Sequence, residues 1–303
     1  MQKLKSVLIT GITGYIGGSI ALALIDKGYR VFGIYRKQED KLRILSEGIS
    51  PVYCDLNDKN LTPLKAAIKA CDIVIHAAEC DSIVIAALLI KTLRGTGKTL
   101  IYTSGAGYLA NHRQQIATLL HIHEDNPVRT SNVFPNRIRI NNAILRSAAF
   151  GIHSIVMVPG MVYGKGHFIN IKSKQLPALE QAAHALQSGV YIDSGKNCWS
   201  HVHIDDLVDL YLLALAKAKR GSLFYIENGE TSFYEIGTAI HQRLGFNGTA
   251  TSLTLLEASE RWGSMMAKIG LSSNCRINAD KARQMLGWQP HHNSILSYIF
   301  EEI

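Results

Sequence analysis

The chain has 303 residues, 47% of them hydrophobic and 18% charged, a balance that supports a large buried core and excludes a disordered chain. No apolar run approaches the roughly 20 residues that span a bilayer, and Cys54, Cys71, Cys80, Cys198 and Cys275 form no Cys-x-x-Cys pair, which fits reduced, packed thiols. The net charge of +8 comes from scattered basic residues without a run or interleaved aromatics, so a nucleic-acid partner is set aside and an anionic small ligand is favoured.

In chain order, the apolar residues 6–10 predict a strand, and Gly11, Gly14 and Gly17 follow it at i, i+3 and i+6. The first glycine permits a tight turn. The second lets backbone approach a pyrophosphate, and the third lets the next helix pack close to the strand. A helix over residues 16–27 then aims its free N–H groups and positive dipole end at the anion. Thr13, Tyr15 and Ile16 complete the expected dinucleotide cradle. The basic residues 1–5 run into this turn rather than into a secretory core, so a cytoplasmic protein is expected.

Further strands are predicted at 31–35, 50–54, 73–76, 99–103 and 154–158. Between them lie helices at 62–71, opened by Thr62 as cap and Pro63 as first helical residue, at 82–93, and at 138–150, ended by Gly151. This alternation predicts an α/β protein with a doubly wound parallel sheet. After Pro159 the pattern changes. Residues 160–166 read as loop, 176–186 as helix and 199–204 as extended chain. Asp205 or Asp206 caps a helix to about 217, 222–226 is a strand, and short helices dominate from 232. The expected organisation is a Rossmann-type domain over 1–165, rejoined by the chain at about 200–226, and a smaller, mainly helical substrate lobe over 166–303.

Arg36 ends the second predicted strand, where binders of NAD carry a carboxylate that bonds the ribose hydroxyls. A carboxylate repels a 2′-phosphate, whereas a guanidinium matches it, and Lys37 adds charge beside it. The cofactor expected from these residues is NADP, although Glu39 and Asp40 oppose the signal and a solvated strand-end arginine is the plain alternative. His201 and His203 alternate on an extended stretch, as do His121 and His123. Zinc needs further ligands, no partner set is visible in the sequence, and no metal is expected. Arg137 and Arg139 read either as an exposed helix face or as contacts for an anionic substrate or cofactor phosphate.

With the glycine turn, the chain carries Cys54-Asp55-Leu56, Val74-Ile75-His76-Ala77-Ala78, Tyr102-Thr103-Ser104-Gly105, Pro159-Gly160-Met161-Val162-Tyr163-Gly164, His203-Ile204-Asp205-Asp206 and Leu286-Gly287-Trp288-Gln289-Pro290. In these it resembles the extended or atypical short-chain dehydrogenase/reductases, the NAD(P)-dependent epimerase/dehydratase-like proteins, over nearly its whole length. The resemblance implies that Asp55 and Leu56 meet adenine, that Ala77 and Ala78 pass the pyrophosphate and ribose, and that Pro159 shapes the nicotinamide loop. It also implies a Ser, a Tyr and a Lys four residues after the Tyr. That Tyr-x-x-x-Lys pair is absent: Phe134 and Ile138 stand in its register, and Gly105 stands at the Ser position with Ser104 one residue earlier. Phe cannot transfer a proton and Ile cannot tune one.

Ser104 and Tyr163 are the remaining candidates for the catalytic centre, with a turn hydroxyl and a core tyrosine as the plain readings. Three functions compete. The first is an oxidoreductase acting on a carbonyl or activated double bond of a small organic molecule. The second is a catalytically silent cofactor-binding regulator or sensor, and the third a non-redox isomerase or cyclase. By analogy with relatives that pair two helices from each subunit, a homodimer is expected.

Overall fold

A computed structural model describes residues 4–111, 121–126 and 131–302. The strands are β1 (Ser6–Thr10), β2 (Arg30–Tyr35), β3 (Ser50–Tyr53), β4 (Ile73–His76), β5 (Thr99–Thr103), β6 (His153–Pro159), β7 (Met161–Tyr163), β8 (Val190–Ile192), β9 (Cys198–His203), β10 (Ser222–Ile226), β11 (Glu230–Ser232) and β12 (Thr251–Leu253). The α-helices are α1 (Tyr15–Asp26), α2 (Lys41–Ser46), α3 (Thr62–Ala70), α4 (Ile83–Leu93), α5 (Pro135–Arg146), α6 (Gln175–Leu186), α7 (Ile204–Lys217), α8 (Phe233–Arg243), α9 (Leu255–Trp262), α10 (Asp280–Leu286) and α11 (Ile295–Glu302).

A seven-stranded sheet runs in the order β10-β6-β5-β4-β1-β2-β3, and every neighbouring pair in it is parallel. Strands covered on both faces must be apolar throughout, and β1 and β4 are buried at every position. Alternation along β1 divides the core. Leu8 packs with Leu64, Leu89 and Ile144 of α3, α4 and α5. Val7 and Ile9 pack with Ile20 of α1 and Leu207 and Leu210 of α7 on the other face. The order reverses between β1 and β4, and ligands of such sheets sit at the carboxyl ends beside that reversal.

Each of the two cores draws on both sides of residue 165, joining Leu8 to Ile236 and Ile299 and Val7 to Leu207 and Trp288. Among the described residues, the chain rejoins the main sheet through β10 alone. β9, expected to return with it, lies instead between β11 and β7 in a separate three-stranded sheet. A further two-stranded sheet of β8 and β12 means that the C-terminal part is not purely helical.

Several local expectations shift for identifiable reasons. The helix expected from 138 opens at Pro135, because proline fits the first turn, where its missing N–H has no partner to lose. It then tightens into a 3₁₀ turn over Ser147–Phe150 and stops at left-handed Gly151. The α7 cap is His203, whose side chain accepts from the Asp205 N–H, so Asp205 and Asp206 sit in the first turn rather than before it. Thr62 is likewise inside α3, and its N–H bonds to the Asn60 Oδ1. Among the described residues, no helix is long and apolar enough to cross a membrane.

Candidate functional site

The β1–α1 junction is shaped by contact. Gly11 has φ +75°, and a Cβ there would lie 2.4 Å from the Ala77 carbonyl oxygen. A Cβ on Gly17 would lie 2.3 Å from the Gly11 carbonyl oxygen, and one on Gly14 would lie 3.1 Å from the same atom. The turn closes through the Gly14 N–H to the Gly11 oxygen at 2.9 Å, and the Ala77 N–H bonds back to Thr10 at 3.1 Å. Gly14 caps α1 without a side-chain hydrogen bond, and the first turn holds no acidic residue. The helix end therefore presents bare N–H donors and an uncancelled dipole, which is the donor chemistry a diphosphate requires. The donors of this cradle suit a pyrophosphate-bridged nucleotide. The Tyr15 hydroxyl turns away and donates to the Gly164 carbonyl at 3.0 Å, so only its backbone is free for a ligand.

Arg36 is exposed immediately after β2. Lys37 meets Glu39 at 3.6 Å, which offsets part of its charge. One oxygen of Asp55 accepts from the backbone and side chain of Asn57, at 2.9 and 3.1 Å. Asp55 thus forms a local Asx turn. Leu56 packs against the core, and Ala78 directly follows Ala77 at the carboxyl end of β4. Pro159 closes β6, and the Gly160 N–H bonds to Ile226 at 3.0 Å.

Ser104 follows β5 and is 6% exposed. Its N–H bonds to the Met157 carbonyl at 2.8 Å, which fixes the residue between β5 and β6. Its hydroxyl has no hydrogen-bond partner among the described residues. Such a buried orphan calls for an explanation, and a ligand oxygen supplies one. Tyr163 sits as the plain reading has it, in the core. It is fully buried on β7, edge-on to His201, His203 and Tyr298. Its hydroxyl already donates to the His292 carbonyl at 3.1 Å, and burial, followed by the nearby Asp206, pushes its pKa up. The structure does not bring this hydroxyl to Ser104.

Phe134 caps α5, and Ile138 is buried in the core. The space beside Gly105 is taken by a residue that the spacing left open between two roles. The Arg137 guanidinium lies 4.1 Å from the Phe134 ring centre and donates to the Gly105 carbonyl at 3.2 Å. It grips Asp81 with two bonds, Nε to Oδ1 at 2.9 Å and Nη2 to Oδ2 at 2.5 Å. Burial pulls the Arg137 pKa down, but Asp81 outweighs it and the net shift is upward, so this group stays charged. Arg139 is exposed. Asn141, one turn beyond Ile138, is buried with neither amide atom partnered among the described residues. Asn141 carries no motif signal in the sequence, though its offset of three from Ile138 puts both on one helix face.

The histidines separate. The His201 Nε2 meets the Thr231 hydroxyl at 3.0 Å, and burial takes the His201 pKa down to about 4. His121 pairs with exposed-edge Glu230 at 3.1 Å, and His123 is exposed. His76 is buried between the Thr10 hydroxyl at Nδ1 and the Glu79 carbonyl at Nε2. The carbonyl can only accept, so Nε2 carries the proton and Nδ1 accepts from Thr10. Trp199 is buried and donates to the Ser273 carbonyl at 3.0 Å.

The family model described as NAD dependent epimerase/dehydratase family matches residues 7–226, which takes in the glycine turn, Ser104 and every strand of the main sheet. The chain belongs to that family. Its cofactor class is accordingly a nicotinamide dinucleotide, and the family's members are dehydrogenases, epimerases and dehydratases. An uncharacterized protein of Schizosaccharomyces pombe is 28% identical over 96% of this chain and 97% of its own. The sterol-4-alpha-carboxylate 3-dehydrogenase, decarboxylating, of Dictyostelium discoideum is 25% identical over 94% and 96%. The UDP-glucuronic acid 4-epimerase of Bacillus cereus, solved with UDP-glucuronic acid and NAD, shares the family fold. It superposes with a TM-score of 0.74 at 17% identity over 97% of this chain and 96% of its own.

Proposed function

We propose that this family member is an NADP(H)-dependent oxidoreductase acting on a carbonyl or activated double bond of a small organic molecule, working without the Tyr-x-x-x-Lys pair. The observation that carries the reading is the unpartnered, buried Ser104 hydroxyl at the carboxyl end of β5, one residue from the Gly105 carbonyl that Arg137 holds. When bound, a nicotinamide dinucleotide supplies or accepts a hydride. The chain's own part is to orient and to stabilise charge. Ser104 donates a hydrogen bond to the substrate oxygen, and Arg137 favours negative charge developing on it. A guanidinium does not give up its proton, and Tyr163 is committed to His292. Among the described residues, Ser104, or else water, is left to supply the proton to the substrate oxygen. Gly11 to Gly17 would hold the diphosphate, and Arg36 the 2′-phosphate.

The cofactor choice rests on Arg36 standing where a carboxylate would repel a phosphate. A charge-assisted hydrogen bond contributes ~1.5–3 kcal/mol, roughly 10- to 150-fold in affinity. Arg36→Ala should weaken NADPH by such a factor and leave NADH within about threefold. Unchanged NADPH affinity, or no initial preference, refutes the assignment. Turnover is tested by following the near-ultraviolet absorbance of NADPH with a panel of aldehydes, ketones and enones. A silent cofactor-binding regulator is the second reading, favoured by Phe134 and Ile138, and binding without absorbance loss supports it.

A further inference from the structure

Side chains alternate along β5. Tyr102 packs in the core with Ile138 and Ile144 of α5, and the Thr103 hydroxyl meets the Tyr211 hydroxyl of α7 at 2.7 Å on the opposite face. Ser104 comes next and faces α5 again. Thr103 pairs with Met157 and Tyr225 with Val158. Ser104 and Tyr225 therefore stand level at the carboxyl ends of β5 and β10, two strand spacings or ~10 Å apart, and Tyr225 joins the same core as α5. We propose that Asn141, Tyr108 and Tyr225 form a subsite for a second, uncharged hydrogen-bonding group of the substrate, beside the oxygen that Ser104 receives. The substrate class is then a carbonyl compound that also carries a hydroxyl or an amide. The inference rests on the oxidoreductase reading and names what that site accepts.

Two observations carry it. The first is where unpartnered polar atoms collect. Seven buried side-chain polar atoms lack a partner among the described residues, and four of them are the Ser104 Oγ, both amide atoms of Asn141 and the Tyr225 hydroxyl. Asn141 is 4% exposed and lies between buried Ile138 and Ile144 on the core face of α5, where an apolar side chain would pack without leaving polar atoms unpaired. The second observation is what surrounds these atoms. The Tyr108 hydroxyl approaches both Tyr225 and Asn141, from the 3₁₀ turn Ala106–Leu109 that follows Ser104. It has one proton to give, whereas Asn141 brings an acceptor oxygen and two N–H donors and Tyr225 brings another donor. The three cannot satisfy one another. Charged groups are engaged elsewhere: Arg137 with Asp81 and the Gly105 carbonyl, and Glu124 with the Tyr225 N–H at 2.7 Å. A neutral group that both donates and accepts matches the cluster. A site built this way discriminates, because a substrate lacking the group leaves buried polar atoms unpaired.

The test uses the intact chain loaded with NADPH and two matched pairs of probes, hydroxyacetone with acetone and diacetone alcohol with methyl isobutyl ketone. In at least one pair the hydroxylated member should be favoured in kcat/KM by about tenfold or more. Asn141→Leu and Tyr225→Phe should each reduce that preference to about threefold or less, with the loss falling on the hydroxylated member. Thermal unfolding of Asn141→Leu should stay level or rise, since two unpartnered atoms are removed; Tyr225→Phe serves if the leucine variant fails to fold. No preference in the parent chain, as when ordered water alone fills the cluster, overturns the proposal. So does a preference that survives both variants, or a loss of stability with equal losses on both members, which assigns the cluster to the core. Where the parent reduces none of the probes, the oxidoreductase reading fails on them and the subsite is read separately by calorimetry. The hydroxylated member should then bind the loaded parent about tenfold tighter than its partner and lose that margin in Asn141→Leu; equal binding overturns the subsite.

Discussion

The pair formed by Arg137 and Asp81 is open to a quantitative test. Its charge centres are about 4 Å apart, and Coulomb's law at an effective dielectric of about 20 gives ~4 kcal/mol of attraction. The side chains are 11% and 30% exposed, so desolvation removes part of that gain but screening is weaker than at a surface. An exposed pair is worth only about 0.2–1 kcal/mol. Asp81→Ala leaves Arg137 with the Gly105 carbonyl and the Phe134 ring alone, and should cost about 2–3 kcal/mol, somewhat below the range for a fully buried pair that loses one member. Arg137→Met should cost less, because Asp81 is the more exposed partner. The assay is a double-mutant cycle read by urea unfolding, and the expected coupling is about 2 kcal/mol. Arg137→Met should also depress turnover while NADPH affinity stays within about threefold. A coupling below ~0.5 kcal/mol refutes the electrostatic account of this pair. Unchanged turnover refutes its place beside the reacting oxygen.

Three shorter predictions follow from the same geometry. Gly17→Ala places a methyl 2.3 Å from the Gly11 oxygen, so strand and helix must separate. Stability should fall by about 1–3 kcal/mol, and calorimetry should show both NADPH and NADH affinities dropping together. Ser104→Ala removes a hydroxyl that has no partner among the described residues. Thermal stability should therefore stay level or rise while kcat falls about 10²-fold or more; unaffected kcat assigns Ser104 to structure. Burial lowers the His76 pKa from 6.5 to about 4. The unfolded chain protonates it first, so its contribution is complete above pH 6.5 and is lost as pH falls toward 4, by ~3 kcal/mol in all. Unfolding midpoints across that window should show the slope, and His76→Gln should reduce it, with buried His201 supplying a remainder.

Much of the fold was legible in the sequence because its signals are local. The glycine spacing at residues 11, 14 and 17 encodes one turn, and the contacts that forbid a side chain at Gly11 and Gly17 follow from that turn meeting β4. The parallel sheet was legible because strands buried on both faces leave continuous apolar runs. The caps at Thr62 and Asp205 were misplaced because several polar neighbours satisfy the same pattern, and tertiary packing chooses among them.

The candidate centre was only half legible. Sequence alone determined that Phe134 and Ile138 cannot move protons, and that Arg36 follows the second strand. It could not join Arg137 to Asp81, 56 residues away, or His292 to Asp206, 86 residues away. Nor could it show that Tyr163 is sealed against His292 while Ser104 is left unpaired. Spacing carries information over a few turns of chain, whereas these pairings exist only once the sheet order has brought distant strand ends and loops together.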